Sequence, residues 1–356
     1  MKKLNFHFKK LTKKQTLILI LALILIASGG VAAYLHFTKQ KTTQPVVKTK
    51  PVKKEEKKEP EKFYAALSGA QVDSPEKVNS PVIGVMIENS PNARPQSGLN
   101  EAEVVFEAIA EGGVTRFLAL YQQNQPSMIG PVRSLRSYYL DWAWGFQASV
   151  AHVGGSGDAL ARIRDGQHRD LDQFFNSGTF WRATDRYAPH NVYTTFEKLL
   201  ALNNSKGWTS SNFEGFVRKE DTKSAAPTAT KIQIGLSGYY YDTFYTYNAD
   251  CNCYFRGQAG AAHLDREKGD ITPRNVVALR MDMSRGDDGY HNVYSTIGSG
   301  TAVAFLDGTA HEIAWEKASE SSPLILKGGD GKNFQLNRGQ TWLVAVPNSS
   351  GSIAWQ

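Results

Sequence analysis

Cysteine is nearly absent from this 356-residue chain, which holds only Cys251 and Cys253, both late in the sequence. No cysteine lies near the N-terminal apolar run, so an acylated cysteine of the lipoprotein kind is excluded. A dense disulfide framework is excluded as well. Cys251, Cys253 and His263 are three scattered ligands and fall short of a zinc pattern, so no metal and no cofactor is expected. Arginine is missing from residues 1–62, which carry 15 lysines and 4 glutamates. The other 294 residues carry 26 basic and 30 acidic groups, so the formal net charge of +7 resides in the N-terminal segment. That placement points to a membrane or wall surface and removes the main support for nucleic-acid binding. Lysine in turn is missing between Lys77 and Lys198, a span with nine arginines. The Gly-x-Ser-x-Gly nucleophile elbow is also missing, since Ser156 sits in Gly154-Gly155-Ser156-Gly157-Asp158.

Lysines at 2, 3, 9, 10, 13 and 14 precede an almost unbroken apolar run over residues 17–37. As a helix its 21 residues would reach about 30 Å, the thickness of a bilayer's hydrocarbon core. The basic cluster predicts a cytoplasmic segment over 1–16, a transmembrane helix or uncleaved signal anchor over 17–37, and an extracytoplasmic remainder. Cleavage at the small residues Ala27-Ser28-Gly29-Gly30 is the competing reading. Residues 38–75 are rich in Lys, Glu, Pro and Thr and predict a disordered tether. Strands are expected at 82–87, 103–110 and 115–121, the last two joined by a Gly112-Gly113 turn. Apolar spacing predicts a helix over 134–146, and Thr194 with Glu197 predicts a capping box. From residue 224 onward, seven strand candidates alternate with turn pairs and no convincing helix. The fold class is therefore α+β: a transmembrane helix, a mixed α/β sheet domain over 76–223 and a mainly antiparallel all-β domain over 224–356.

The candidate ligand-binding residues are Arg94, Glu111, Arg116, Arg133, Arg136, His190 and Asn191. A guanidinium presents a planar fork of donors that matches phosphate and carboxylate. Arg94, Arg116, Arg133 and Arg136 sit beside turn residues (Pro95, Gly113, Pro131), where side chains can converge at a sheet edge into an anion site. The competing reading pairs these arginines internally with Glu88, Glu107, Glu111 and Asp141. Pro189 precedes His190, a candidate general base or ligand that Asn191 could orient. No residue is assigned a catalytic role. Cys251 and Cys253 are read equally as an oxidised pair and as a reduced pair in a hairpin turn.

Several blocks together resemble the YerB-like family of bacterial envelope proteins, built from N- and C-terminal domains of unknown function (3048). They are PVIGVMIENSPNARPQSGLNEAEVVFEAIAEGGVTRFLALYQ, IGPVRSLRSYYLDWA and APHNVY, then NVVAL, GSGTAVAFLDG and GQTWLVAVP. The resemblance implies a membrane-attached, external, two-domain protein, and in that family the attachment is typically a lipidated cysteine. Lacking one, this chain would be anchored by residues 17–37. The expected function is a membrane-anchored cell-envelope protein that binds an anionic wall polymer, a lipid-linked precursor or a wall-synthesis protein. The alternative is an enzyme on envelope polymers, since strands leading into an arginine-bearing turn resemble in pattern the LytR-CpsA-Psr phosphotransferases.

Overall fold

The computed structural model describes residues 12–39 and 61–356 and divides into two units, Met1–Pro60 and Glu61–Gln356. Most of the expected basic segment and the first part of the expected tether, residues 1–11 and 40–60, lie outside the described residues. The end of that tether, by contrast, is ordered: Phe63–Tyr64 pairs with Gln71–Val72, and Ala65 and Leu67 are buried. In the first unit, α1 is a 27-residue helix, Lys13–Lys39. Side chains at 27–29, 31–33, 35 and 37–39 of α1 are not among those described, while Leu17 to Ile26 includes a run of exposed Leu and Ile. No helix among the described residues is long and apolar enough to cross a membrane.

The second unit is α+β with few helices. Its N-terminal half supplies strands β1 (Ile83–Glu88), β2 (Val104–Ile109) and β3 (Thr115–Tyr121). Helix α2 (Ser137–Trp144), β4 (Ser149–His152), α3 (Gly157–Ile163), β5 (Arg169–Asp172) and α4 (Phe196–Ser205) follow. The later half supplies β6 (Lys231–Gly235), β7 (Thr243–Asn248), β8 (Cys253–Gln258) and β9 (Ala261–Ala262). It continues with β10 (Asn275–Met281), β11 (Gly298–Leu306), β12 (Thr309–Lys317) and β13 (Ile325–Lys327). The chain ends in β14 (Thr341–Pro347) and β15 (Ser352–Trp355).

One ten-stranded sheet takes strands from both halves, in the order β13-β12-β11-β10-β14-β2-β3-β1-β4-β5. The seam is parallel: Trp342 of β14 lies opposite Val105 of β2, and Leu343 opposite Phe106. Residues 76–223 and 224–356 therefore share a sheet, and the texture change near residue 224 marks a switch from helix-bearing to strand-only connections. Strand β2 is buried along its whole length. Its Phe106 stacks on Trp142 of α2 at 4.9 Å on one face, and its Val105 joins Phe196 and Leu199 of α4 on the other. Continuous burial on both faces explains why β1, β2 and β3 read as apolar runs rather than alternations.

A second, antiparallel sheet of five strands, β9-β8-β7-β6-β15, is locked to the first by a buried ion pair. Arg256 of β8 donates to Glu107 of β2 at 2.8 Å, with both side chains fully buried. The guanidinium also lies 4.5 Å over the Trp342 ring and bonds Gln258 at 3.0 Å. His263 accepts from Arg256 through Nδ1 and donates from Nε2 to Gln96 at 2.8 Å. Burial first, then the Arg256 and Arg94 charges, push this imidazole well below its usual range and keep it neutral. His263 is thus a bridge between the halves. Cys251 and Cys253 form a disulfide, which settles the open redox reading for this structure.

Candidate functional site

Three backbone segments distant in sequence lie side by side at the C-terminal end of β1. The Glu88 amide donates to Pro131 at 3.0 Å, and the Arg133 amide donates to Met86 at 2.8 Å. The Val132 amide donates to Val192 at 2.7 Å, which brings the His190 segment alongside. Gly130 makes this approach possible. Its φ is 152°, and a Cβ there would meet the Val192 carbonyl at 2.8 Å and the Tyr193 ring at 2.7 Å.

This packing gathers Glu88, Arg133 and His190. The Glu88 carboxylate is almost fully buried and divides its oxygens between two cations or donors. Oε2 accepts from His190 Nδ1 at 3.0 Å, and Oε1 lies 3.5 Å from Arg133 Nε. Ser90 Oγ is 3.3 Å from the same His190 nitrogen. Because Ser90 and Glu88 share Nδ1, they cannot form a serine–histidine–carboxylate relay, which needs opposite ring nitrogens. With Nδ1 committed to the carboxylate, His190 Nε2 has no partner among the described residues. The same holds for both Nη atoms of Arg133, whose side chain is 28% exposed. A neutral His190 could accept a proton through Nε2, and a protonated one would donate there.

Arg94 stands one loop away. Its Nε donates to Asn89 Oδ1 at 3.1 Å, and its Nη2 donates to the carbonyls of Asn89 at 2.8 Å and Tyr240 at 2.7 Å. Burial first, then Arg256, lower its proton affinity, offset in part by Tyr241 and Glu107. It therefore braces the loop after Glu88.

The expectation that four arginines converge on one open pocket does not hold. Arg116 and Arg136 belong to a separate clamp on Glu111. Glu111 Oε1 accepts from Arg116 Nη2 at 3.1 Å and Arg136 Nη2 at 2.6 Å, and its Oε2 accepts from Arg136 Nε at 2.9 Å. Arg116 and Arg136 also bond the Ser134 and Leu135 carbonyls at 2.7 Å and 2.6 Å. These bonds tie the β2–β3 turn to the start of α2, the internal pairing that composition left open. Burial works to raise the Glu111 carboxyl, but the two guanidinium groups outweigh it and hold it below its ordinary value.

Asn191 does not orient His190. Its Oδ1 accepts from Arg182 at 2.8 Å and its Nδ2 donates to the Ala183 and Arg186 carbonyls, so it shapes the loop carrying His190. The Gly154 amide is likewise spent internally, on Asp172 at 3.3 Å, and both His152 nitrogens face protein acceptors. Glu88, weighed from sequence only as a partner for arginine, is the centre of the site. Its signal was its place at the end of the apolar run Ile83-Gly84-Val85-Met86-Ile87.

A shared α+β body with a charged cluster at a strand end defines the class: a two-part β-rich protein whose halves are joined through one sheet. The chain belongs to the family of proteins of unknown function DUF3048, matching its N-terminal domain over residues 67–209 and its C-terminal domain over 232–343. It is 30% identical over 293 residues to the Bacillus subtilis (strain 168) protein named "Putative lipoprotein YerB", across 81% of this chain and 87% of that protein. The crystal structure of YerB from Bacillus subtilis superposes with a TM-score of 0.73 at 27% identity, covering 82% of this chain and 99% of that one.

Proposed function

We propose that this protein is anchored to the membrane by residues 17–37, carries its body outside the cytoplasm, and binds an anionic envelope component through Arg133 and His190. The anchor rests on the 21-residue apolar run behind six lysines, and the relative's lipoprotein name supports an extracytoplasmic membrane location. The binding half rests on one observation: Glu88 hydrogen-bonds His190 through Oε2 and ion-pairs with Arg133 at 3.5 Å through Oε1, while His190 Nε2 and both Arg133 Nη atoms have no partner among the described residues. A buried carboxylate that orients two donors and leaves them open is suited to accept an anion's oxygens.

One reconstitution tests both halves. The full chain is placed in zwitterionic vesicles, washed at alkaline pH, and titrated with labelled inorganic phosphate. Retention with saturable binding is expected. Arg133→Ala should weaken binding by about tenfold or more, the loss of a charge-assisted contact. Arg116→Ala should leave binding within about twofold, since that guanidinium is spent on Glu111. Release by the wash contradicts the anchor, and equal binding by Arg133→Ala contradicts the site.

A further inference from the structure

Resting on the anion-binding reading above, we infer that the ligand is a phosphorylated saccharide, its phosphate on Arg133 and His190 and its ring on tyrosines of the loops that flank them. Three donor positions face outward, the two Arg133 Nη atoms and His190 Nε2 when protonated. These nitrogens carry five N–H groups in all, more than a carboxylate's roughly four lone-pair sites accept, whereas the three oxygens of a phosphate ester can take them all.

Exposed tyrosines stand on the flanking loops: Tyr187, Tyr239 and Tyr240, exposed by 91%, 66% and 58%. Single exposed tyrosines are ordinary on protein surfaces. These three are tied to the loop that leaves Glu88. Tyr187 opens the turn that carries His190, closed by the His190 amide on the Tyr187 carbonyl at 2.9 Å. The neighbouring Arg186 donates to the carbonyls of Ala93 and Pro95, at 2.6 Å and 2.5 Å. From the other side, Arg94 of that loop holds the Tyr240 carbonyl at 2.7 Å. Asp242 Oδ1 accepts from the Leu236 and Gly238 amides at 2.8 Å and 3.0 Å and fixes the loop that presents Tyr239 and Tyr240. The rings are therefore exposed on braced loops, where a stacked ligand loses little conformational entropy. A tyrosine offers an apolar face with a polar tip, which suits a sugar ring's C–H face and hydroxyls.

The test titrates residues 61–356, a compact unit by itself, with four probes: inorganic phosphate, N-acetylglucosamine 1-phosphate, N-acetylglucosamine and glucuronic acid. The sugar phosphate is expected to bind about tenfold tighter than inorganic phosphate, with the other two weaker than either. Tyr187→Ala with Tyr240→Ala should erase that advantage and leave inorganic phosphate unchanged. Equal binding of phosphate and sugar phosphate overturns the saccharide while the anion site stands. Glucuronic acid binding as tightly as the sugar phosphate overturns the choice of phosphate. Failure of both phosphates to bind overturns the anion reading itself.

Discussion

Glu111 and Glu88 show how differently two carboxylates can use nearby arginines. Glu111 accepts three hydrogen bonds from Arg116 and Arg136 and leaves little of either guanidinium exposed. Glu88 takes one nitrogen each from Arg133 and His190 and leaves the rest of both groups facing outward. Composition could flag the arginines, but not which of them are consumed, because partners such as Glu88 and His190 stand 102 residues apart. The Glu111 clamp carries a pH signature. Its folded carboxyl titrates below the ordinary value of 4.5, so the unfolded chain takes up the proton first as pH falls. The stabilisation is present above the ordinary value and is lost as pH drops through the lower folded one. Denaturant midpoints of the wild type should therefore fall between about pH 6 and 3 more steeply than those of Glu111→Gln. Parallel slopes would show that Glu111 contributes nothing to acid sensitivity.

At the level of elements, apolar runs were legible wherever a strand is buried on both faces. The reading of 115–121 coincides with β3, and the Gly112-Gly113 turn joins β2 to β3 as expected. The helix expected over 134–146 is shorter, Ser137–Trp144, because Arg133 and Leu135 are held as extended backbone against Met86 and Gly154. The helix cap lies one residue later than the Thr194–Glu197 pattern. Thr195 accepts from the Lys198 amide at 3.0 Å, while the Thr194 hydroxyl donates to Thr179 at 2.9 Å. Strand β8 was missed because Cys251-Asn252-Cys253 and Gly257 interrupt its pattern. That glycine has a packing reason, since the ring of Phe244, its cross-strand partner, occupies the space a Cβ would need.

For the whole molecule, the informative contacts join the two family halves, and these are the ones a linear reading cannot pair. Glu107 and Arg256 are 149 residues apart, yet they form a fully buried pair between the two sheets. Removing one partner strands a buried charge, so Arg256→Met should lower unfolding free energy by about 3–5 kcal/mol in denaturant titration. Glu107→Leu combined with Arg256→Met should recover most of that loss, whereas a loss below about 1 kcal/mol in the single variant would contradict the pair's role as the lock. The lock also supports the site, since Gln96 and Asn89 connect the Arg256 network to the backbone of Glu88. The central claim is that Arg133, and neither Arg116 nor Arg136, meets the anion. Side-chain Nε–H resonances of ¹⁵N-arginine-labelled protein during a phosphate titration test it most directly. Arg133 is predicted to shift progressively to saturation while Arg116 and Arg136 stay in place. Shifts at Arg116 and Arg136 with a stationary Arg133 would move the site to the Glu111 clamp and contradict the assignment.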